Sequence, residues 1–392
     1  MSPTTTLSFP STIAPVLDAN NRWAAMRVFP ASETRLDGDL LQQLGANDGD
    51  TQKLPLLIEL DSIEQLPGEP VSVRFNRPLY LVLSPAMLAA HAVHDRLTSL
   101  RNQGARLMAR DLPPFALSSE VSSFATDCNA ANVGGIESLL GQTAGPHMAS
   151  RVDSHAAHRH CVGAGFNWFS GDWALRNDAE QPAQKTTTRS NLLNLLALVA
   201  TDADSHQIEA LLKRDPNLSY QLLKLVNSVS FSLTHRIDSF SQAITILGRR
   251  QLQRWLQLLM YAGEHADGLV SPLLGLAAMR AALMEELAAI LGRNQHEQDR
   301  AYMVGMFSLL DVLFKAPLDS LLAPLNLEED IAKALLKHTG TLGKMLEVVV
   351  ASTAASGAVL AERLAELNIS AEAYLAAQLR AHAWAAEVSR EI

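Results

Sequence analysis

From residue 190 onward the apolar residues recur every three or four positions, whereas before residue 176 they gather in short runs between polar stretches. The first pattern belongs to packed helices, the second to strands alternating with helices. In the first part, residues 54–60 (LPLLIEL) and 79–83 (LYLVL) have strand length. Residues 86–103 read as a helix stopped at Gly104, and 105–109 as the next strand. Two further segments, 20–29 and 165–173, can supply outer strands. The alternation predicts an α/β layer or a barrel-like sheet. In the second part, Ser190 can cap a helix carrying Leu192, Leu193, Leu195, Leu196 and Leu198. Asp215 is an N-cap with Pro216 at the first helical position, and Leu218, Leu222, Leu225 and Val226 then share one face. Ser239 with Gln242 makes a capping box, and Gly248 fits the end of that helix. Leu252, Trp255, Leu256 and Leu259 continue as the next helix, and Asn326 with Glu329 suggests another capped start. A compact bundle of about nine or ten helices is expected.

The boundary is marked by residues 176–189 (RNDAEQPAQKTTTR), a polar stretch holding Pro182 and no aliphatic side chain larger than alanine. It places one domain at 1–182 and a second at 190–392. A chain of 392 residues with 48% apolar residues can fill two cores. Its net charge of −9 argues against a nucleic-acid binder, which usually needs a basic face. Arg249-Arg250 is the most compact basic pair in the second half, and reads as a solvated helix start. Cys128 and Cys161 are the only cysteines, too few and too far apart in sequence for a disulfide framework, so a reducing cytoplasmic setting is expected. Residues 1–15 carry no Lys or Arg and no continuous apolar core, unlike a signal peptide. No stretch of about 18 uncharged apolar residues predicts a membrane span. The run 348–360, rich in Ala, Ser and Thr, reads as a helix packed inside its domain.

The second half resembles the HDOD domain, a non-catalytic relative of the HD hydrolases of bacterial signalling. The matching string is Asp215-Pro216-Asn217-Leu218-Ser219, then residues 222–228 (LLKLVNS) and Phe231, then Ile237, Ser239, Ala243-Ile244 and Leu247-Gly248. Bottom-up, these positions are structural. Asp215 and Pro216 start a helix, Asn227-Ser228 ends one, and the Leu and Ile residues are core. Where an HD hydrolase would carry its paired His-Asp, the chain reads residues 305–311 (GMFSLLD), so Ser308 and Leu309 stand in the lost position. A metal phosphohydrolase needs several His and Asp side chains converging on its ions.

The first half resembles the EAL domain, a cyclic-di-GMP phosphodiesterase fold. Residues 97–112 (LTSLRNQGARLMARDL) resemble the helix, glycine and strand leading to that family's paired acids. Residues 160–173 (HCVGAGFNWFSGDW) resemble a late barrel strand, with Gly171 in the place of a recurrent glycine. Residues 71–79 (VSVRFNRPL) match the strand that presents an asparagine. The departures are chemical. Residues 23–27 (WAAMR) hold no acid where the family's naming motif should fall, and Arg110-Asp111 stands where two aspartates are expected. No lysine stands in a strand matched to the catalytic one. EAL hydrolysis needs a cage of carboxylate and amide oxygens around divalent ions. The length of this half, about 180 residues, also leaves room for an incomplete barrel.

The remaining chemical groups read plainly. His94-Asp95, with His91 before it, reads as a solvated helix face in the wrong domain for an HD site. His155, His158, His160 and Cys161 are the richest ligand cluster, but one helix directs at most two or three of them at one point, and a polar helix surface is the simpler reading. Ser308 has no histidine within a turn to act as its base and reads as a small packed residue. Asp311 reads as a helix-terminal or surface carboxylate. No phosphate loop or nucleophile elbow is present.

The expectation is therefore a degenerate EAL-type β/α barrel followed by an all-α HDOD bundle. It implies a non-enzymatic signalling regulator that needs no cofactor and holds no metal. Its partners would be other signalling proteins or a second copy of itself, with neither nucleic acid nor membrane among them. The alternative is a receptor that binds cyclic-di-GMP without hydrolysing it, with Arg74 and Arg110 as phosphate-contact candidates. A residual metal-dependent phosphodiesterase is the third reading.

Overall fold

A computed structural model describes residues 11–30, 54–67, 77–111, 121–129, 140–176 apart from 142, 249–261, 271–353 apart from 326, and 357–391, with four residues between 36 and 44. By contacts the chain forms two compact units. One comprises Met1–Ala19, Trp23–Arg176 and Val350–His382, and the other Asn20–Arg22, Asn177–Val349 and Ala383–Ile392.

The first unit is built on a closed eight-stranded barrel, β1 to β8 in sequence order. The strands are β1 (Thr12–Asp18), β2 (Trp23–Phe29), β3 (Leu56–Leu60), β4 (Leu79–Leu83), β5 (Ala105–Arg110), β6 (Val121–Asp127), β7 (Met148–Ser150) and β8 (Trp168–Ser170). β1 runs antiparallel to both of its neighbours, β2 and β8, and every other pair is parallel. The expected incompleteness is corrected here, because short connections let all eight strands fit within about 160 residues. β3 and β4 are buried at every position, as parallel strands covered on both faces must be. Helices α1 (Pro85–Ala89) and α2 (His94–Asn102) flank a 3₁₀ turn at His91–Val93, so the expected single helix is interrupted. Ser84 caps α1, with its hydroxyl accepting from the Met87 amide. Helix α3 (His155–Gly163) lies between β7 and β8 and is capped by Ser154.

The barrel interior holds Val16, Ala25, Leu57, Tyr80, Val82, Met108, Ala125 and Met148, with Trp168 packed against them. A C-terminal segment joins the same unit through a fully buried glutamine. Gln378 Oε1 accepts from the Ile13 amide at 3.1 Å, and its Nε2 donates to the Ser11 carbonyl at 3.0 Å. Gln378 thereby satisfies two backbone groups at the start of β1. His382, one turn on, lies 5.6 Å from the Trp23 ring.

The second unit is helical among its described residues. It contains α4 (Arg249–Leu259), α5 (Pro272–Ile290), α6 (Gln295–Phe307), α7 (Leu310–Phe314), α8 (Leu318–Leu322), α9 (Glu329–Lys337) and most of α10 (Gly340–Thr353). Helices α11 (Gly357–Glu366) and α12 (Ala371–Glu391) follow, and fall wholly or largely with the barrel. A reciprocal cap starts α6: Asn294 Oδ1 accepts from the Glu297 amide, and Glu297 accepts from the Asn294 amide. The start of α9 differs from expectation, since its N-cap is Glu328, which makes no side-chain cap bond. α5 and α6 cross closely at Gly305, where a Cβ would meet Ala281 Cα and the Arg280 carbonyl at 2.6 Å. Of the expected helix at 348–360, residues 348–353 lie in α10 and 357–360 in α11, with 354–356 outside the described residues.

Candidate functional site

Side chains alternate along a strand, so the interior residues fix which positions follow them inward. Two residues beyond Ala25, Leu57, Met108, Ala125, Met148 and Trp168 stand Arg27, Glu59, Arg110, Asp127, Ser150 and Ser170. The uppermost interior layer of the barrel, at the C-terminal ends of the strands, is thus polar and charged. This is the end at which barrels of this kind usually place their chemistry.

The layer neutralises itself. Arg27 pairs with Glu59, both side chains being about nine-tenths buried, and also reaches Ser170 Oγ at 3.4 Å. Arg110 donates to the other Glu59 oxygen at 3.4 Å, to Asp61 at 2.7 Å and to the Leu60 carbonyl at 3.2 Å. Glu59 is therefore held by two guanidiniums. Asp127 pairs with Arg151 and accepts from the Asn129 amide at 2.9 Å. The Asn129 side chain donates onward to the Arg151 carbonyl and to Asp153. Three arginines stand against Glu59, Asp61 and Asp127. A guanidinium's fork of donors satisfies carboxylate lone pairs that a cation would otherwise take. Among the described residues no group of three His, Cys, Asp or Glu side chains is placed to hold a metal ion.

Of the residues singled out in the sequence, Arg110 lies in this layer with its guanidinium already engaged. Asp111, beside it, is exposed, and its backbone donates to the Ala125 carbonyl. Arg74 lies outside the described residues. Gly171 follows β8, and a Cβ there would come within 2.3 Å of the Val152 carbonyl oxygen, so the close approach requires glycine. His91, His94 and Asp95 are exposed. The polar-surface reading of the histidine cluster is corrected in part. His160 is exposed, but His158 is buried, stacked on Trp173 at 4.8 Å and edge-on to Phe169 at 4.6 Å. Burial pulls its pKa down to about 4, and the charges of His155 and Arg159 act the same way. Cys161 is also buried, and faces Cys128.

In the helical unit, Asp215, Pro216, Asn227, Ser228 and Gly248 lie outside the described residues, as do the helix starts at Ser190 and Ser239. Residues 308–309, expected to stand at the lost HD position, are described. Ser308 is the C-cap of α6, and its hydroxyl donates to the Gly305 carbonyl at 2.7 Å. It accepts from the buried Arg280 guanidinium at 3.2 Å. Leu309 is buried core, and Asp311 sits in the first turn of α7, where a carboxylate suits the helix dipole. Arg250 is half-exposed and paired with Asp299 at 2.7 Å, as a helix-start charge.

Sequence reasoning missed Arg27 as a partner of Glu59, and it missed Asp127, Asn129 and Arg151 altogether. The available cue was a charge at the last inward position of an apolar strand, as in LLIEL (56–60).

The described residues place a barrel with a self-neutralised upper layer in one unit and a contact between the buried Arg280 and Ser308 in the other. Residues 188–318 match the HDOD domain family model, and the chain carries that domain. It is 29% identical over 206 residues to the uncharacterized protein YuxH of Bacillus subtilis, covering 52% of this chain and 50% of that one. It is 26% identical over 246 residues to the cyclic di-GMP phosphodiesterase CdgJ of Vibrio cholerae, covering 62% of this chain and 56% of CdgJ. The chain spans about half the length of the curated relatives it matches. Among solved structures, the EAL domain of Mycobacterium smegmatis DcpA aligns at 15% identity with a TM-score of 0.32, over 41% of this chain and 89% of that one. No described helix is long and apolar enough to cross a membrane.

Proposed function

We propose that this protein is a non-catalytic regulator in cyclic-di-GMP signalling that works by binding other signalling proteins, and that its barrel is a degenerate EAL domain. The link to the nucleotide rests on the similarity to CdgJ. The loss of catalysis rests on one observation: Glu59 lies between Arg27 and Arg110. A divalent ion at this layer would have to displace a buried guanidinium and then sit beside it, which Coulomb repulsion opposes. In the HDOD domain, Ser308 and Leu309 stand where the paired His-Asp would fall, with Arg280 donating to Ser308, and neither Ser308 nor Leu309 can serve as a metal ligand of the HD type. Among the described residues this leaves two folded surfaces with no metal cluster, which is the equipment of an interaction protein. The chemistry of its composition suits a cytoplasmic setting.

The observation is testable by reversing it. Arg110→Asp removes one guanidinium from Glu59 and adds a third carboxylate beside Glu59 and Asp61. Millimolar Ca²⁺ or Mn²⁺ should then raise the melting temperature of the variant and leave that of the native chain unchanged, as binding to the folded state requires. A clear rise for the native chain would contradict the reading.

A receptor role is the second reading. It is favoured by the arginines of the upper layer, since a guanidinium can exchange a carboxylate for a phosphate. Arg110 would have to leave Asp61 to do so.

A further inference from the structure

The two cysteines of the chain are 33 residues apart in sequence and meet in the fold: Cys128 Sγ lies 2.7 Å from Cys161 Sγ. Cys128 follows the last residue of β6, and Cys161 lies on α3. We propose that Cys128 and Cys161 form an oxidisable dithiol that peroxide closes to an intramolecular disulfide at the upper end of the barrel. The proposal is independent of the regulatory reading.

The two sulfurs have different surroundings. Cys161 is fully buried, whereas Cys128 is partly exposed, with its thiol directed at the Ala157 carbonyl at 3.8 Å. Burial pushes the Cys161 thiol up to about 12, and its hydrogen bond with Cys128 acts in the same direction. Cys161 therefore keeps its proton at neutral pH, and the partly exposed Cys128 is the sulfur that meets the oxidant. In the first step the Cys128 thiolate attacks one oxygen of hydrogen peroxide. The O–O bond breaks, the sulfur becomes a sulfenic acid, and hydroxide leaves to be protonated to water. In the second step Cys161 sulfur attacks the sulfenic sulfur. Its proton passes to the departing hydroxyl, a second water forms, and the S–S bond closes. Two thiols are oxidised and one peroxide is reduced to two waters. Bringing the sulfurs to the ~2.05 Å of a disulfide requires a shift of under about one ångström.

The position gives the bond a consequence. Cys128 is flanked by Asp127, in the charged upper layer, and Asn129, which contact the exposed Arg151 and Asp153 at its rim. A disulfide would tie this corner to α3 and fix the layer's Asp127 side. Disulfides of cytosolic proteins are commonly of this transient, sensing kind.

The test treats the full-length protein with hydrogen peroxide, quenches it, unfolds it with an alkylating reagent and maps the peptides by mass spectrometry. The expected result is one Cys128–Cys161 linkage per chain, no alkylated thiol, and full recovery of both thiols with dithiothreitol. Cys161→Ser should instead stop at a Cys128 sulfenic acid that dimedone traps, and Cys128→Ser should leave Cys161 unoxidised under the same treatment. The proposal is overturned if both cysteines of the treated native chain alkylate on unfolding. It is equally overturned if Cys128 proceeds to sulfinic acid while Cys161 stays free, or if the only linkages join two chains.

Discussion

At the scale of single residues, the informative feature is a buried carboxylate satisfied by arginine. Glu59 is about 8% exposed and sits at the end of an otherwise apolar strand. A charge so placed is tolerated only if it is paired and hydrogen-bonded. Removing one partner should therefore cost more than a surface ion pair would. Arg27→Ala is expected to destabilise the barrel unit by about 2–4 kcal/mol, read as a fall in its denaturation midpoint. A loss no larger than that of an exposed pair would show that Arg110 alone suffices. The buried histidines make a second prediction. His158 and His382 are both held near pKa 4 by burial, below the ordinary 6.5. The folded chain keeps them neutral while the unfolded chain takes up protons, so stability is unaffected above about pH 6.5 and is lost as pH falls from there towards 4. His158→Phe preserves the ring stacking on Trp173 and removes one titrating group. The melting temperature of this variant should fall less steeply between pH 6.5 and 4.5 than that of the native chain; equal slopes would exclude His158 as a contributor.

At the scale of elements, Gln378 connects a late helix to the first strand. Its amide pairs with both Ser11 and Ile13, and all three residues are buried. Gln378→Leu keeps the bulk and orphans an N–H and a C=O. Each orphaned buried group costs about 1–3 kcal/mol, and faster hydrogen exchange at the Ile13 amide should report the change directly. No exchange difference would mean that water replaces the glutamine. This link was not legible in the sequence, because a glutamine on a helix surface and one sealing a strand end have the same local pattern. β3, β4 and β5 were legible because they are apolar runs bounded by turn residues. β1 (TIAPVLD) was missed because Pro15 breaks the strand pattern, and β6 (VSSFATD) and β7 (MAS) because neither carries a continuous apolar run. The close crossing at Gly305 was invisible for a related reason: the glycine is needed by a neighbour distant in sequence, Ala281. Arg27 and Arg110 could be read from the chain, but the identity of the carboxylates they neutralise required the fold.

At the scale of the whole molecule, a closed barrel and a helical unit carrying the HDOD domain each hold arginine in a part-buried polar contact. Arg27 and Arg110 stand against Glu59 in one unit, and Arg280 donates to Ser308 in the other. The charge balance is acidic overall, at −9, which suits contacts with proteins better than with nucleic acid. The most direct measurement is a calorimetric titration of the full chain with cyclic-di-GMP in the presence of Mg²⁺, followed by chromatography of the nucleotide. The account predicts that the nucleotide is recovered intact, whether or not heat of binding is seen. Release of the linear dinucleotide, abolished by Asp111→Ala, would contradict it.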